Sequence, residues 1–229
     1  MTSADNAEYA RTCTCAVAPA RSTDSQREPL TGKRVADLIG ASVLLVSLTP
    51  LILAVIVILR LTGAPVLYRH PRIGRRGRNF ECLKFSTMVV AADRALQAYL
   101  ETDPAQLAEW TTRQKLECDP RVTPIGRHLR RWGIDEVPQL WNVIRGEMSL
   151  VGPRPVVHAE QARYGHRLNH YRSVQPGLTG LWQVRRSRET SYRRRVALDV
   201  CYVRRRGLIL DLVILLKTPW ALIRGDGSY

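Results

Sequence analysis

Residues 38–59 restrict the fold more than any other stretch. They form an uncharged, apolar run with Pro50 near its centre. A run of about 20 apolar residues is long enough to cross a bilayer as a helix. A proline inside a helix removes one backbone hydrogen bond and bends the axis. Ser47 and Thr49 lie close enough in sequence to satisfy carbonyls that such a bend would release. Both flanks are basic, with Lys33 and Arg34 before the run and Arg60, Arg69, Arg72, Arg75, Arg76 and Arg78 after it. Basic flanks favour the cytoplasmic side. On hydropathy alone a straight single-pass helix is the commoner case, but it would leave one basic flank outside. The expectation is therefore a re-entrant helix that breaks at Pro50 and returns to its own side.

Charge narrows the choice of partner. The chain of 229 residues carries a net charge of +15, and the basic excess is mostly arginine. A guanidinium offers phosphate a rigid fork, whereas an ammonium offers a point charge. Nucleic acid, an anionic bilayer and a phosphorylated substrate would all suit such a chain. The runs Arg193–Arg195 and Arg204–Arg206 are short and adjoin apolar segments, which fits anionic membrane lipids better than nucleic acid. The cysteines (Cys13, Cys15, Cys82, Cys118, Cys201) show no metal-ligand pairing and suit a reducing, cytosolic environment. No zinc site is expected from the histidines, and Gly74 and Gly77 match no phosphate-loop or dinucleotide pattern.

The organisation follows from these signals. Residues 1–30 form a polar leader expected to be disordered, 31–62 the re-entrant membrane helix, and 63–229 a cytosolic catalytic domain. A β-hairpin is predicted with strands at 66–70 and 80–85 around the turn Gly74-Arg75-Arg76-Gly77. Helices are predicted over 91–100, 105–116, and from about Asp135 to a stop at Gly146. The apolar segment 208–223 fits either an interfacial helix on the membrane or a core helix. The fold class is α+β, mostly helical with a small hairpin, in a monotopic membrane protein with C-terminal interfacial helices.

The chemistry centres on Asp135 and Glu136. They precede Pro138, which is tolerated in a first helical turn, so both are expected at a helix N-terminus. An ionised aspartate there can attack phosphorus or hold a divalent cation, and the adjacent glutamate can complete the metal site or handle a proton. Taken alone, such a pair is more often a helix cap. Arg130 lies five residues earlier, and Arg154 is held in the rigid Gly152-Pro153-Arg154-Pro155. Together with Lys84 these are the candidate phosphate-binding residues.

The pieces in order are Lys33-Arg34-x-x-Asp37, the apolar run with its proline, Tyr68-Arg69-His70-Pro71-Arg72-Ile73-Gly74, and Lys84-Phe85. Asp119-Pro120-Arg121-Val122-Thr123, Asp135-Glu136-Val137-Pro138-Gln139-Leu140-Trp141-Asn142, Gly152–Pro155 and Pro176–Val184 follow. In this the chain resembles the bacterial sugar transferase family, the monotopic polyprenyl-phosphate phosphoglycosyl transferases, over nearly all of its length beyond the leader. The resemblance implies transfer of a phospho-sugar from a UDP-sugar to undecaprenyl phosphate with release of UMP. This would be the first membrane step of polysaccharide or glycoconjugate synthesis, at the cytoplasmic face of a bacterial membrane. It implies Asp135 as the nucleophile of a covalent phospho-sugar intermediate, Mg²⁺ held at Asp135 and Glu136, and phosphate contacts from Lys84, Arg130 and Arg154. Three positions depart from the family pattern: Ser86 stands where an arginine is usual, Thr49 where serine is common, and Arg185-Arg186-Ser187-Arg188 where Ser-Gly-Arg is common. Two rivals remain at this level, a glycosyl transferase that releases UDP and a non-catalytic scaffold of a polysaccharide assembly system. The sugar and the pathway are not legible, and a homodimer is allowed but not required.

Overall fold

In the computed structural model the chain is described over residues 31–89, 91–102, 119–185 and 191–223, together with Leu107, Trp110 and Leu116. The leader, Cys13, Cys15, Cys118 and most of the predicted 105–116 helix lie outside these residues, as does 186–188.

Helix α1, Gly32–Leu61, starts at Thr31, whose hydroxyl accepts from Arg34 N at 3.3 Å. It runs through Pro50 without ending, which corrects the expected break. Ser47 Oγ donates to Val43 O and Thr49 Oγ1 to Leu45 O, each at 2.8 Å. Both bonds reach back one turn, so neither serves Val46 O, the carbonyl that Pro50 deprives of a donor. One face of α1 buries Asp37, Ala41, Val55 and Leu59, while Ile39, Val43, Val46, Leu53 and Val57 are exposed. Leu45 and Leu48 pack on the main core, and Ile52, Val55, Ile56 and Leu59 pack with Phe85 and Leu129.

The hairpin pairs β1, Leu67–Ile73, with β2, Asn79–Phe85, with Tyr68 opposite Lys84 and Arg72 opposite Phe80. Its β1 strand runs three residues further toward the tip than the sequence pattern suggested, because the arginine-rich turn closes as a tight 3₁₀ segment, Arg75–Gly77. Helix α2 covers Ala92–Thr102 and α3 covers Pro124–Arg131, capped by Thr123. A Cβ on Gly126 in α3 would lie 2.2 Å from Thr87 O, so only glycine lets this helix approach the chain leaving the hairpin.

Helix α4, Gln139–Arg145, stops at Gly146 in the left-handed region (φ 83°), as its sequence suggested. Strand β3, Ser149–Val151, then pairs in parallel with β4, Gly177–Thr179, a sheet with no sequence forecast. Between them lie the short helices α5, Gln161–Tyr164, and α6, Leu168–Arg172. After β4 come α7, Leu181–Val184, α8, Tyr192–Arg205, and α9, Leu208–Ile223. Leu140 and Val143 of α4, Met148, Val151, Tyr202 and Ile214 form the main core. Helix α9 buries Asp211 and Ile214 on one side and exposes Leu208, Ile209, Leu212, Leu216, Trp220 and Ile223 on the other. Core packing thus claims one face of α9 and leaves an apolar face uncovered.

Candidate active site

Two elements bring the charged groups together. Strand β2 presents Lys84 near its end, and the 3₁₀ turn Ile134–Glu136 carries the carboxylates. Gly133, with φ 66°, turns the chain sharply out of α3 and sets up that turn. The dyad therefore sits one turn ahead of α4, whose first residue is Gln139, and is not part of the helix terminus expected from the sequence. The cause is local: Val137 N bonds to Ile134 O, so the turn closes on itself before the helix begins.

Lys84 Nζ lies 2.7 Å from Glu136 Oε1 and 3.7 Å from Asp135 Oδ2. The ammonium bridges the pair. Both side chains are largely buried, and the balance of neighbouring charges rather than exposure separates their chemistry. Burial raises the Asp135 carboxyl above its ordinary range, with Lys84 opposing and the neighbouring Glu136 charge adding to the rise. Burial pushes Glu136 upward as well, but the charges of Lys84 and Arg154 outweigh it and hold this carboxyl below its usual value. Both carboxyls are desolvated, and the surrounding charges leave Glu136 the more acidic and Asp135 the more basic of the two.

Arg130, in the last turn of α3, donates from Nε to Thr87 Oγ1 at 2.9 Å. Burial lowers its pKa, and the charge of Asp135 works against that. Arg154 lines the same cleft as Lys84 and Glu136, and its guanidinium stacks 5.7 Å above the centre of the Trp182 ring. Lys84 is thus within ion-pair distance of Asp135 and Glu136, Arg154 lines the cleft with Lys84 and Glu136, and Arg130 is near enough for its charge to act on Asp135. Pro50 lies within α1, well along the chain from this cluster.

The sequence reading missed several lining residues. Arg72, expected as a basic flank and as part of the Tyr68–Gly74 motif but not as a site residue, lines the cleft, donates to Pro155 O at 3.2 Å and lies 3.9 Å from Glu160. Strand alternation and the hairpin register place Arg72, Cys82 and Lys84 on one face, so a known register would have revealed it. Gln139 and Gln183 also line the cleft, and Trp182 supports both Arg154 and, at 5.2 Å, Arg195. His166 and His170 do have the four-residue spacing that the sequence reading overlooked, but they fall in different short helical segments. Among the described residues no group of three or more histidine, cysteine or acidic side chains gathers as a metal cage. Two adjacent carboxylates beside a cleft lined by Lys84 and Arg154 still suit Mg²⁺, which is commonly held by one or two carboxylates together with substrate phosphates.

The family model described as bacterial sugar transferase matches residues 29–225, most of the chain. The chain belongs to the bacterial sugar transferase family. By family it is an enzyme, a transferase. It is 48% identical over 198 residues to a UDP-galactose-lipid carrier transferase of Erwinia amylovora, covering 86% of this chain and 41% of that protein. It is 46% identical over 198 residues to the exopolysaccharide production protein ExoY of Sinorhizobium fredii, covering 86% of this chain and 88% of the relative. An undecaprenyl-phosphate galactose phosphotransferase of Salmonella typhimurium is 41% identical over 197 residues, with 86% of this chain and 41% of that protein covered. The chain therefore spans less than half of two of these relatives and most of the third. In this family member the departure at Ser86 is buried, and its backbone N–H donates to Val66 O.

Proposed function

We propose that this chain transfers a phospho-sugar from a UDP-sugar to undecaprenyl phosphate and releases UMP, by way of a covalent intermediate on Asp135. The observation that carries the reading is the bridge from Lys84 to two adjacent carboxylates held in opposite electrostatic states, with Arg154 on the same cleft. A sugar-only transferase needs no desolvated carboxylate beside arginines. Here Asp135 Oδ attacks the sugar-bearing phosphorus, a new P–O bond forms, and the bond to the UMP oxygen breaks. The terminal phosphate oxygen of undecaprenyl phosphate then attacks the same phosphorus. The diphosphate link forms and Asp135 leaves as a carboxylate. Lys84 and Arg154 offset phosphate charge in the cleft, and the charge of Arg130 favours ionised Asp135. Mg²⁺ would be held by Glu136 and Asp135 and would supply neutralisation of the diphosphate. The depressed pKa of Glu136 suits that role better than proton donation.

The reaction belongs at the cytoplasmic membrane surface. Both ends of α1 bind the same body: Lys33 donates to Val151 O and Asp211, and Leu150 N donates to Asp37, while Val55 and Leu59 pack against Phe85 and Leu129. That arrangement, together with the basic flanks on both sides and the apolar exposed face of α9, supports an α1 that stays one helix through Pro50 yet keeps both ends on the cytoplasmic side. The test is nucleotide release by detergent-solubilised protein given Mg²⁺, undecaprenyl phosphate and a panel of UDP-sugars. UMP should appear, and Asp135→Asn should abolish it while leaving membrane association intact. Release of UDP, or normal turnover by the variant, would overturn the proposal.

A further inference from the structure

Lys84, Arg154 and Arg72 all line the cleft, and each is held differently. Lys84 is committed to the dyad, 2.7 Å from Glu136. Arg154 stacks on Trp182, and stacking grips a guanidinium by its face while using none of its N–H donors. Arg72 lies 3.9 Å from Glu160 Oε2, at the outer limit of an ion pair. A carboxylate that closed this gap would take up the charge that Arg72 presents to a phosphate. Both side chains are mostly buried, so water screens the attraction only weakly.

Arg195 of α8 stands on the other side of that glutamate. Its Nη1 donates to Glu160 Oε1 at 3.3 Å, while Val157 N donates to Glu160 Oε2 at 3.3 Å. The Arg195 guanidinium is itself fixed against two rings, 5.0 Å from the centre of Tyr192 and 5.2 Å from that of Trp182. Its Nε and Nη2 are buried and have no hydrogen-bonding partner among the described residues. An apolar side chain of similar volume would fill this space without the cost of burying a charge. The charge is therefore there for what it does to Glu160. We infer that Arg195 is a positioning residue: by holding Glu160 off Arg72, it leaves the Arg72 guanidinium to bind a phosphate group in the cleft. The inference rests on the phospho-sugar reading above and adds to it a further phosphate-binding cation, together with the residue that keeps that cation available. Trp182 carries Arg154 as well, so Arg195 and Arg154 share one support.

The test uses the full chain in detergent and compares the wild type with Arg195→Met, Glu160→Gln and the double variant. Initial rates of UMP release give kcat/KM, and calorimetry gives the affinity for inorganic pyrophosphate, a probe that spans adjacent phosphate positions. Arg195→Met should lower kcat/KM by about 10- to 100-fold, the scale of a small misplacement near the chemistry. Pyrophosphate should bind more weakly in the same variant. Adding Glu160→Gln should bring both quantities back to within about threefold of Glu160→Gln alone, because a neutral amide cannot neutralise Arg72 and the two sites are coupled. All values are taken below the melting transition of every variant. If Arg195→Met does not fold, Arg195→Gln, neutral and polar, takes its place. An undiminished rate in the single variant, or an equal loss whether residue 160 is Glu or Gln, would overturn the inference. So would a double variant that regains its melting temperature without regaining pyrophosphate affinity, which would leave Arg195 a purely structural role. Absence of UMP release by the wild type with every UDP-sugar would instead overturn the transferase reading, and the pyrophosphate affinities would still decide whether Arg195 acts on Arg72.

Discussion

Lys84 touches both carboxylates of the dyad and therefore sets the pH at which the pair becomes competent. Its charge opposes the burial that raises Asp135, and it is the largest stabiliser of ionised Glu136. In Lys84→Met the Asp135 carboxyl should rise further, so a larger fraction is protonated and non-nucleophilic at a given pH. The acid limb of the kcat/KM profile, which reports the free enzyme, should move toward neutral pH, and the maximum should fall. A profile of unchanged shape would exclude Asp135 as the group that must be ionised. The sign for stability is opposite in the two carboxyls. Raised Asp135 stabilises the fold when protonated, and that contribution is lost as pH rises through its folded pKa. Depressed Glu136 stabilises the fold when ionised, and its contribution is lost as pH falls through its folded pKa. That the dyad exists is plain from the adjacency of Asp135 and Glu136. Which of the two is the more acidic is not, because burial and neighbouring charge depend on residues distant in the chain.

At the scale of elements, Asn142 joins the helix behind the dyad to the strand that carries Lys84. It is fully buried, accepts from Leu83 N at 3.0 Å and donates to Glu81 O at 2.7 Å and Glu147 Oε2 at 2.6 Å. Those backbone groups lie on the edge of β2 that faces away from β1, so one side chain serves where a third strand would otherwise pair. Asn142→Ala would leave a buried N–H and a buried carbonyl without partners and should cost about 2–4 kcal/mol in urea unfolding. A loss below about 1 kcal/mol would mean that water replaces the amide. The hairpin was legible because its strands alternate around a glycine-bounded turn. The β3–β4 pair was not, since three-residue strands carry no periodicity and their pairing spans residues 149 to 179. Close approach explains the glycines there: a Cβ on Gly177 would lie 2.0 Å from Gly152 N.

At the scale of the whole molecule, α1 acts as a clamp. Arg34 donates to Val143 O at 2.6 Å and to Ile144 O at 2.9 Å, binding the C-terminal carbonyls of α4, while the distal half of α1 packs beside α3 through Leu129. A helix of 30 residues whose two ends hold one body gains little from being straight across a bilayer. In a cysteine-free background, single cysteines at Leu30 and Ala64 should both react with an impermeant thiol reagent applied from the cytoplasmic side of inverted vesicles, and neither from the opposite side. Reaction of one position from the opposite face would replace the re-entrant reading with a spanning helix.

Local chemistry determined a great deal by itself. The apolar run with its basic flanks, the hairpin, the glycine stop at Gly146 and the adjacent carboxylates depend on residues close in sequence, where periodicity and backbone preference act directly. Tertiary structure alone decided the rest. It carried α1 through Pro50 by packing its flanks on the body, placed the dyad in a turn ahead of α4, and brought Arg72, Gln139 and Gln183 to one cleft. It also made Asp135 and Glu136, neighbours in the chain, electrostatic opposites. The physical reason is common to all of these: burial and charge proximity are set by which distant segments meet, and no local pattern encodes that distance.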